Sequence, residues 1–298
     1  MRLATRPSKL ARWQSHHVLQ ALQAHWPDVS SEVVLMQTRG DQLLDQGLPE
    51  IGGKGLFTAE LDNSLRNQNV DFVVHSLKDL PVEEDPDLVI AAILPRGPST
   101  EVLLTPDGTN LAKLPPGAFV GTSSLRRQAQ VLAIRPDLRV KSIRGNVDTR
   151  IAKLLAGDYD AILLATAGVH RLGLTDFVAE EFPVEIMLPA PGQGALAVQC
   201  RRNDSVARSY LSKLDDMVTR QAVNAERSFL AALGGGCSLP VGANATVKNG
   251  TITLHTLVIA PDGSEKIQLS SRGKKAKELG NKLAAEALSK GAAEVLSV

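Results

Sequence analysis

The first ninety residues alternate between short apolar runs and amphipathic stretches. Apolar runs at 2–5, 33–38 and 71–75 predict three strands, and the amphipathic stretch after the first run predicts a helix with Ser8 as its N-cap. The residues expected on the inner face of that helix are Leu10, Trp13, Val18 and Leu22. Strands that alternate with helices in this way are typical of an α/β domain.

The same alternation returns in the middle of the chain. Strands are predicted to end at Gly121 and to cover 139–143 and 160–165, and a helix between the last two begins after Asn146 and stops at Gly157. The inner positions of that helix are expected to be Val147, Ile151 and Leu155. A second α/β domain is therefore predicted.

The last eighty residues follow a different pattern. A helix over about 218–233 ends in three glycines and Cys237, and the turn sequences Asn249-Gly250 and Pro261-Asp262-Gly263 predict a three-stranded meander. A closing helix is expected to bury Leu279, Leu283 and Leu288. This segment is predicted to be a small α+β domain.

Two passages rich in proline and glycine, 95–116 and 183–194, are interpreted as crossings between the two α/β domains. The predicted fold class is α/β, with two α/β domains around a cleft and a small C-terminal α+β domain that holds a three-stranded sheet. The expected boundaries are 1–94 with 195–213 for the first domain, 100–189 for the second and 217–298 for the third.

Composition and charge narrow the function classes. The 298 residues carry a net charge of +1, and aromatic residues make up only 3%, too few for a base-stacking platform. No apolar run approaches twenty residues and no leader pattern follows Met1, so we expect a cytoplasmic protein that binds neither membrane nor nucleic acid, and a monomer. The two cysteines and six histidines show no ligand spacing, so no metal is expected.

Polar and basic residues stand just past the predicted strand ends, where ligands of open α/β sheets bind and where helix N-termini favour anions. In the first half these residues are Arg6, Ser8, Arg39, Asp41, Ser76, Lys78 and Asp79, and in the second half Thr122, Ser124, Arg126, Arg127, Arg144, Arg150, Gly168 and Arg171. So many arginines in one cleft would repel one another around a single carboxylate. The pattern therefore predicts a ligand with several carboxylates or phosphates.

Other interpretations explain part of this pattern. Each arginine taken alone fits a solvated surface position or an ion pair on a helix face equally well. A non-catalytic receptor for a polycarboxylate anion would explain the cleft, but not a third domain with a glycine-flanked cysteine. A nucleic-acid-binding protein would use the same arginines, but the net charge and the scarcity of aromatic residues speak against it.

Six ordered strings resemble the porphobilinogen deaminase family, and the resemblance runs from Arg2 to beyond residue 290. The strings are Arg39-Gly40-Asp41, Gly52-Gly53-Lys54-Gly55-Leu56-Phe57, His75-Ser76-Leu77-Lys78-Asp79-Leu80-Pro81, Gly121-Thr122-Ser123-Ser124-Leu125-Arg126-Arg127, Arg144-Gly145-Asn146 with Thr149-Arg150, and Gly234-Gly235-Gly236-Cys237. The resemblance implies two domains of the type II periplasmic-binding-protein fold and a dipyrromethane cofactor bound to a cysteine by a thioether. It also implies head-to-tail addition of four porphobilinogen units with loss of ammonia, followed by hydrolytic release of hydroxymethylbilane.

The same resemblance assigns roles to individual residues. Cofactor contacts are implied for Lys78, Thr122, Ser124, Arg126, Arg127, Arg150 and Gly168, and contacts with the substrate or the growing chain for Arg6, Ser8, Arg144 and Arg171. The chemistry agrees, because each pyrrole carries an acetate and a propionate, and such a chain is a polyanion.

Asp79 is the residue expected to act in catalysis. Loss of ammonia from the aminomethyl group leaves a pyrrole-stabilised cation, which a nearby carboxylate stabilises as it develops. The same carboxylate is placed to relay protons, but neighbouring cations favour its ionised form, so charge stabilisation is the preferred role. The simpler alternative is that Asp79 caps a helix.

Cys237 is the expected attachment point of the cofactor, because a thiolate is a strong nucleophile toward an electrophilic methylene and the glycines before it permit an unusual backbone. Its alternative, a buried free thiol, suits Cys200 instead. Lys54 and Phe57 lie in a glycine-rich loop that we expect to act as a lid, with Phe57 either stacking on a pyrrole or packing in the core. The Gly192-Gln193-Gly194 string follows prolines instead of a strand, so we interpret it as a hinge and not as a dinucleotide site.

Overall fold

The computed structural model describes residues 1–42, 58–236 and 239–297. The strands are β1 (Arg2–Thr5), β2 (Glu32–Leu35), β3 (Phe72–Ser76), β4 (Leu88–Ile93), β5 (Glu101–Leu104), β6 (Phe119–Gly121), β7 (Arg139–Lys141), β8 (Ala161–Ala165), β9 (Val178–Phe182), β10 (Leu196–Arg201), β11 (Val241–Lys248), β12 (Thr251–Ile259) and β13 (Lys266–Gly273). The α-helices are α1 (Lys9–His25), α2 (Arg39–Gln42), α3 (Ala59–Arg66), α4 (Leu125–Ile134), α5 (Val147–Leu155), α6 (Thr166–Arg171), α7 (Ser205–Leu211), α8 (Met217–Ala232), α9 (Ala276–Ser289) and α10 (Ala292–Val295). Short 3₁₀ helices cover Leu77–Asp79, Leu111–Lys113, Thr175–Phe177 and Ser212–Leu214.

Two mixed sheets share one plan. The first has the order β2-β1-β3-β10-β4 and the second the order β7-β6-β8-β5-β9. In each sheet three parallel strands are followed by an antiparallel strand, β10 or β5, and then by a last strand antiparallel to that one. The repeated alternation in the sequence thus corresponds to two α/β sheets of the same design.

The third sheet is the antiparallel meander β11-β12-β13, with α9 packed against β12 and β13. Its turns fall at Asn249-Gly250 and at 261–263, where the sequence predicts them. The fold class is therefore the predicted one: two α/β sheets and a small C-terminal α+β segment with three strands.

The chain divides into two compact units. One comprises Met1–Gly97 with Ala195–Arg220, and the other comprises Pro98–Gly194 with Gln221–Val298. Within the second unit, a buried apolar cluster of Ala129, Leu188, Leu257 and Ile259 joins α4 to the meander. The separation of 100–189 from 217–298 as distinct domains stays a prediction.

Apolar side chains on both faces of each α/β sheet form the cores. In the first unit, Leu3, Val18 and Phe72 lie in the cluster on the α1 side, and Ala4 and Leu65 lie in the cluster on the α3 side. In the second unit the two clusters include Leu103, Val120 and Leu163 on one side and Val102, Ile151 and Ile162 on the other. These cores hold the strand ends, and hence the residues that follow them, in fixed positions.

Three side chains predicted to face the core lie outside it. Trp13 is 37% exposed, Leu155 53% and Leu288 44%. The buried stripe of α1 runs through Gln14, Ser15, Val18, Leu19 and Leu22. Trp13 lies at the margin of that stripe, and Leu155 is about 100° around its helix from the buried Leu154, since an α-helix has 3.6 residues per turn.

The passage 95–116 is more than a crossing, which corrects the sequence interpretation. It contains β5, a strand whose four residues are all buried and which pairs with β8 and β9. The strand is short, begins with a glutamate and lies between prolines, so its apolar pattern is weak in the sequence.

Candidate functional site

Most of the predicted site residues follow the three parallel strands of each α/β sheet. In the first unit Arg6 follows β1, Asp41 comes after β2, and Lys78 and Asp79 follow β3. In the second unit Thr122 follows β6, Arg144 follows β7, and Gly168 follows β8. Because parallel strands end at the same edge of a sheet, each unit gathers its own group of these residues at one edge.

Arg6 forms an ion pair with Asp41 in the first unit. Its Nε lies 3.1 Å from both carboxylate oxygens, and a terminal guanidinium nitrogen also bonds to Oδ1. The backbone N–H and hydroxyl of Thr38 donate to Oδ2 at 3.1 and 2.9 Å. Burial alone would raise the pKa of Asp41, but the hydrogen bonds from Arg6 and Thr38 and the charge of Arg6 lower it below its ordinary value.

Ser8 lies in the turn after β1, Ser76 is the last residue of β3, and Asp79 ends the 3₁₀ helix that follows β3. Ser8 is the N-cap of α1, as predicted, and its Oγ accepts the backbone N–H of Ala11 at 3.3 Å. The amide of Gln14 donates to Ser76 Oγ at 2.8 Å, which ties α1 to the start of the Leu77–Asp79 3₁₀ helix. Lys78 is half-buried and Asp79 is exposed, so the carboxylate of Asp79 is accessible from solution.

A buried cluster of three charged side chains forms the centre of the second group. Arg126 and Arg127 open α4 and are 4% and 6% exposed, and Glu101 is fully buried. Glu101 Oε1 accepts from Arg126 at 2.5 Å, and Oε2 accepts from the Nε and a terminal nitrogen of Arg127 at 3.0 and 2.7 Å. Two guanidiniums thus share one carboxylate, so the cluster carries a net charge of +1.

The remaining guanidinium contacts of this cluster are to backbone carbonyls. Arg126 donates to the carbonyl of Leu188 at 2.7 Å, and Arg127 donates to that of Leu163 at 3.1 Å. Burial lowers the pKa of Arg126, Glu101 raises it and the charge of Arg127 lowers it again, with a net shift below the ordinary value. Both arginines are therefore held rigidly at the end of β8 and the start of α4.

Thr122 and Ser124 shape the turn that leads into α4. The hydroxyl of Thr122, a buried residue, accepts the backbone N–H of Ser124 at 3.2 Å, and Ser124 Oγ accepts the backbone N–H of Arg127 at 3.4 Å as the N-cap. The first turn of α4 contains no acidic residue. The positive end of the helix dipole and the net charge of the buried cluster therefore add together.

Arg144 lies in the turn after β7, Arg150 lies in α5 and Arg171 ends α6, and all three are half-buried. Arg150 Nε donates to the carbonyl of Gly145 at 2.8 Å. Gly145 has φ of +110°, and a Cβ there would lie 2.9 Å from the side chain of Thr149, so the turn requires glycine. Arg171 donates to the carbonyl of Gly194 at 2.7 Å, and burial lowers its pKa to about 10, which leaves it charged at neutral pH.

Several predicted residues lie outside the described part of the chain. These are Lys54 and Phe57 in the glycine-rich loop, and Cys237. Of the glycines before Cys237, Gly234 has φ of +71°, a conformation that other residues rarely adopt. Cys200 is fully buried in β10, and burial raises its pKa to about 11, so its thiol is a poor nucleophile.

Glu101 is the residue of this cluster that sequence reasoning missed. It is the first residue of β5 and stands in register with Ala165, the last residue of β8. An antiparallel strand begins where its parallel neighbours end, so Glu101 lies at the same edge as the predicted residues. The available signal was one carboxylate at the head of the apolar run 102–104.

Neither a metal site nor a membrane-spanning helix is found in the described ranges. Over 1–42, 58–236 and 239–297, no group of three or more histidine, cysteine or acidic side chains is arranged to hold a metal ion. None of the helices within those ranges has the length and apolar character that crossing a membrane requires.

Solved structures of low sequence identity overlap part of the chain. The VFT2 domain of BvgS from Bordetella pertussis is 18% identical over 76% of this chain and 91% of that chain, with a TM-score of 0.44. A methionine binding protein, MetQ, is 10% identical over 74% of this chain and 90% of that chain, with a TM-score of 0.45. Both scores lie below 0.5, so the fold stands on the sheet topology described above.

Sequence comparisons are far more specific. The model of "Porphobilinogen deaminase, dipyromethane cofactor binding domain" matches residues 1–209, and that of "Porphobilinogen deaminase, C-terminal domain" matches residues 220–289. A porphobilinogen deaminase from Brevibacillus brevis is 47% identical over 297 residues, which cover 99% of this chain and 96% of the relative. The chain therefore belongs to the porphobilinogen deaminase family.

Proposed function

We propose that this chain is a hydroxymethylbilane synthase, a transferase that joins four porphobilinogen units head to tail on a covalently bound dipyrromethane. Each addition forms a carbon–carbon bond between the substrate methylene and a pyrrole carbon, with loss of ammonia from the substrate and of a proton from that carbon. Hydrolysis then releases hydroxymethylbilane. Membership of the porphobilinogen deaminase family over nearly the whole chain supports this assignment.

One structural observation carries the proposal. Two buried arginines at the N-terminus of α4 share a single carboxylate, and a buried net positive charge is costly unless an anion completes it. A dipyrromethane brings four carboxylates, two on each ring, so the residues present fit that group. When bound, it supplies these anions and the pyrrole carbon at which the chain grows.

The residues of the second unit are proposed to hold carboxylates. Arg126 and Arg127 would bind them from a buried position, and the N–H groups of the first turn of α4 would add further donors. The other proposed cofactor contacts are Thr122, Ser124, Arg150 and Gly168 of the same unit and, from the first unit, Lys78. The proposed attachment point is Cys237. Each charge-assisted hydrogen bond of this kind contributes about 1.5–3 kcal/mol.

Asp79 is proposed as the catalytic carboxylate. Its exposed position directly after β3 suits a group that stabilises a substrate cation in the transition state and accepts or returns a proton. Arg6, Ser8, Arg144 and Arg171 are proposed to bind the carboxylates of the substrate or of the growing chain. Arg6 suits this role because Asp41 holds its guanidinium in place at the end of β1.

The receptor hypothesis is not favoured. Both matching family models describe porphobilinogen deaminase, and one of them describes cofactor binding. A receptor would also have no use for a covalent primer. We further propose a cytoplasmic location and a monomeric state, the latter testable by light scattering.

Two measurements test the proposed function. The intact mass of protein from cells that make porphobilinogen should exceed the sequence mass by one dipyrromethane, and the mass of Cys237→Ser should not. Incubation with porphobilinogen should release ammonia. An unmodified wild-type mass together with no ammonia release would overturn the proposal.

The role of Asp79 has its own test. Asp79→Asn should fold and carry the added mass but lose about 100-fold or more in turnover, as expected for a group that acts in the transition state. The matched control is Asp87→Asn, an exposed carboxylate that precedes β4 in the same unit. Equal turnover in the two variants would remove Asp79 from the mechanism.

A further inference from the structure

We propose that Glu101 is the positioning residue of the Arg126–Arg127 pair: it sets the direction of both guanidiniums and leaves the pair with one net positive charge for a ligand carboxylate. The inference rests on the function proposed above. It adds a residue to that site which none of the motif strings contains.

Geometry is the first argument. Glu101 uses a different oxygen for each arginine, at 2.5 Å for Arg126 and at 2.7 and 3.0 Å for Arg127. A guanidinium is a planar fork, so two fixed contacts determine where its other N–H groups point. Each arginine has its second contact at a backbone carbonyl. The five bonds use half of the ten N–H donors of the pair, and the others remain in a fixed orientation.

Burial is the second argument. Glu101 is fully buried and each arginine is less than 10% exposed, so water screens their charges poorly. Without the carboxylate, two adjacent guanidiniums would repel each other at a site that water screens poorly. With it, the cluster keeps a single positive charge. One carboxylate of the ligand would neutralise this remaining charge.

The position of Glu101 in the fold is the third argument. The residue belongs to β5, the antiparallel strand of its sheet, and faces the last residue of β8 across the ladder. The arginines belong to α4, which follows β6. The glutamate therefore ties a helix N-terminus to a strand from another part of the sheet, and the backbone between them cannot adjust freely.

The first test changes the position of the Glu101 carboxylate and keeps its charge. Glu101→Asp keeps the charge but is one methylene shorter, so it cannot make all three contacts at once. We expect this variant to fold with a lower thermal midpoint than wild type and, as apoprotein, to take up the cofactor from porphobilinogen at least tenfold more slowly, measured by intact mass over time. The control is Glu181→Gln, which removes a carboxylate from neighbouring β9 that bonds to Thr100 and makes no contact with the pair.

A double variant shows whether Glu101 acts through its partners. We expect Arg127→Lys to load slowly as well. If Glu101 acts by positioning Arg127, adding Glu101→Asp to that variant should slow loading little further, whereas independent effects would multiply. Multiplying effects, wild-type loading in Glu101→Asp, or a Glu101→Asp chain that does not fold would each overturn the inference. If wild type itself neither gains mass nor releases ammonia, the proposed function fails; if wild type does both and Glu101→Asp matches Glu181→Gln, this inference alone fails.

Discussion

Arg6 in the first unit and the Arg126–Arg127 pair in the second both follow the end of a parallel strand, yet their surroundings differ. The side chains of Arg6 and Asp41 are 22% and 12% exposed, and one cation meets one anion. In the second unit the side chains of Arg126, Arg127 and Glu101 are 5%, 8% and 0% exposed, and two cations meet one anion. A partly hydrated ion pair of one cation and one anion gains little from a further anion, whereas a buried pair of cations that shares one carboxylate gains more from one.

This difference suggests a division of roles. The buried cluster suits a cofactor that stays bound through every turnover, and the Arg6–Asp41 pair suits a substrate that arrives and leaves. Both groups of residues place arginine side chains after the end of a strand. Burial and the number of carboxylates distinguish them.

The largest expected contrast is in stability. Glu101→Gln leaves two buried guanidiniums without a carboxylate and should reduce the free energy of unfolding by about 3–5 kcal/mol. Asp41→Asn removes a partly exposed partner and should reduce it by about 1 kcal/mol or less. Urea denaturation of the two apoproteins measures both values. Equal losses would mean that burial does not separate the two groups.

The next prediction concerns the first unit, where the buried His75 of β3 should make the free energy of unfolding depend on pH. Burial, opposed by the neighbouring Gln199 side chain and reinforced by the charge of Arg6, lowers the pKa of His75 from 6.5 to about 4. Between these values the unfolded chain binds a proton that the folded chain does not, so stability falls as the pH drops from about 6.5 to 4, by roughly 3 kcal/mol in all. His75→Gln should remove this component from a series of denaturation curves at stepped pH. Persistence of the full slope in that variant would contradict the assignment.

Conservative substitution of the arginines should produce different kinetic effects. Arg126→Lys removes the guanidinium that donates to both Glu101 and the Leu188 carbonyl. Cofactor loading should therefore slow by about 10- to 100-fold, the equivalent of about 1.5–3 kcal/mol. Arg6→Lys should load normally and raise the KM for porphobilinogen by about tenfold. Mass spectrometry and initial rates measure the two effects. A loading defect in Arg6→Lys would assign it to the cofactor.

The smallest contrast uses the two N-cap serines, Ser8 and Ser124. Their capping bonds are 3.3 and 3.4 Å long, so each alanine variant should lose about 1 kcal/mol of stability or less. Only Ser124→Ala should also slow cofactor loading, because its helix begins with the buried arginines. Matching loading rates in the two variants would argue that the start of α4 has no special part in anion binding.

Several structural features could be predicted from the sequence because their signals are local. The N-cap at Ser8, the turn at Asn249-Gly250 and the three-stranded meander depend on neighbouring residues, and the structure has them. Element boundaries were less accurate: β2 ends at Leu35 and β7 at Lys141, both before the predicted ends. Strand ends depend on pairing with other strands, which local pattern does not contain.

Partners distant in the sequence were harder to predict. Arg6 and Asp41 both follow predicted strands, but their pairing requires β1 and β2 to be neighbours. Glu101 was missed because its strand is short and lies within a passage rich in proline and glycine. Nothing in the string around Arg126 and Arg127 indicates that a carboxylate 25 residues earlier in the chain reaches them.

The sequence by itself determined the family, the alternation of strands and helices, and the kinds of side chain that follow each strand, because motifs and hydrophobic periodicity are properties of neighbouring residues. Only the tertiary structure decided which arginines are buried, which carboxylate each one meets and how much positive charge remains. The physical reason is that the strength of a charge depends on its surroundings, and strands and helices distant in the chain supply those surroundings.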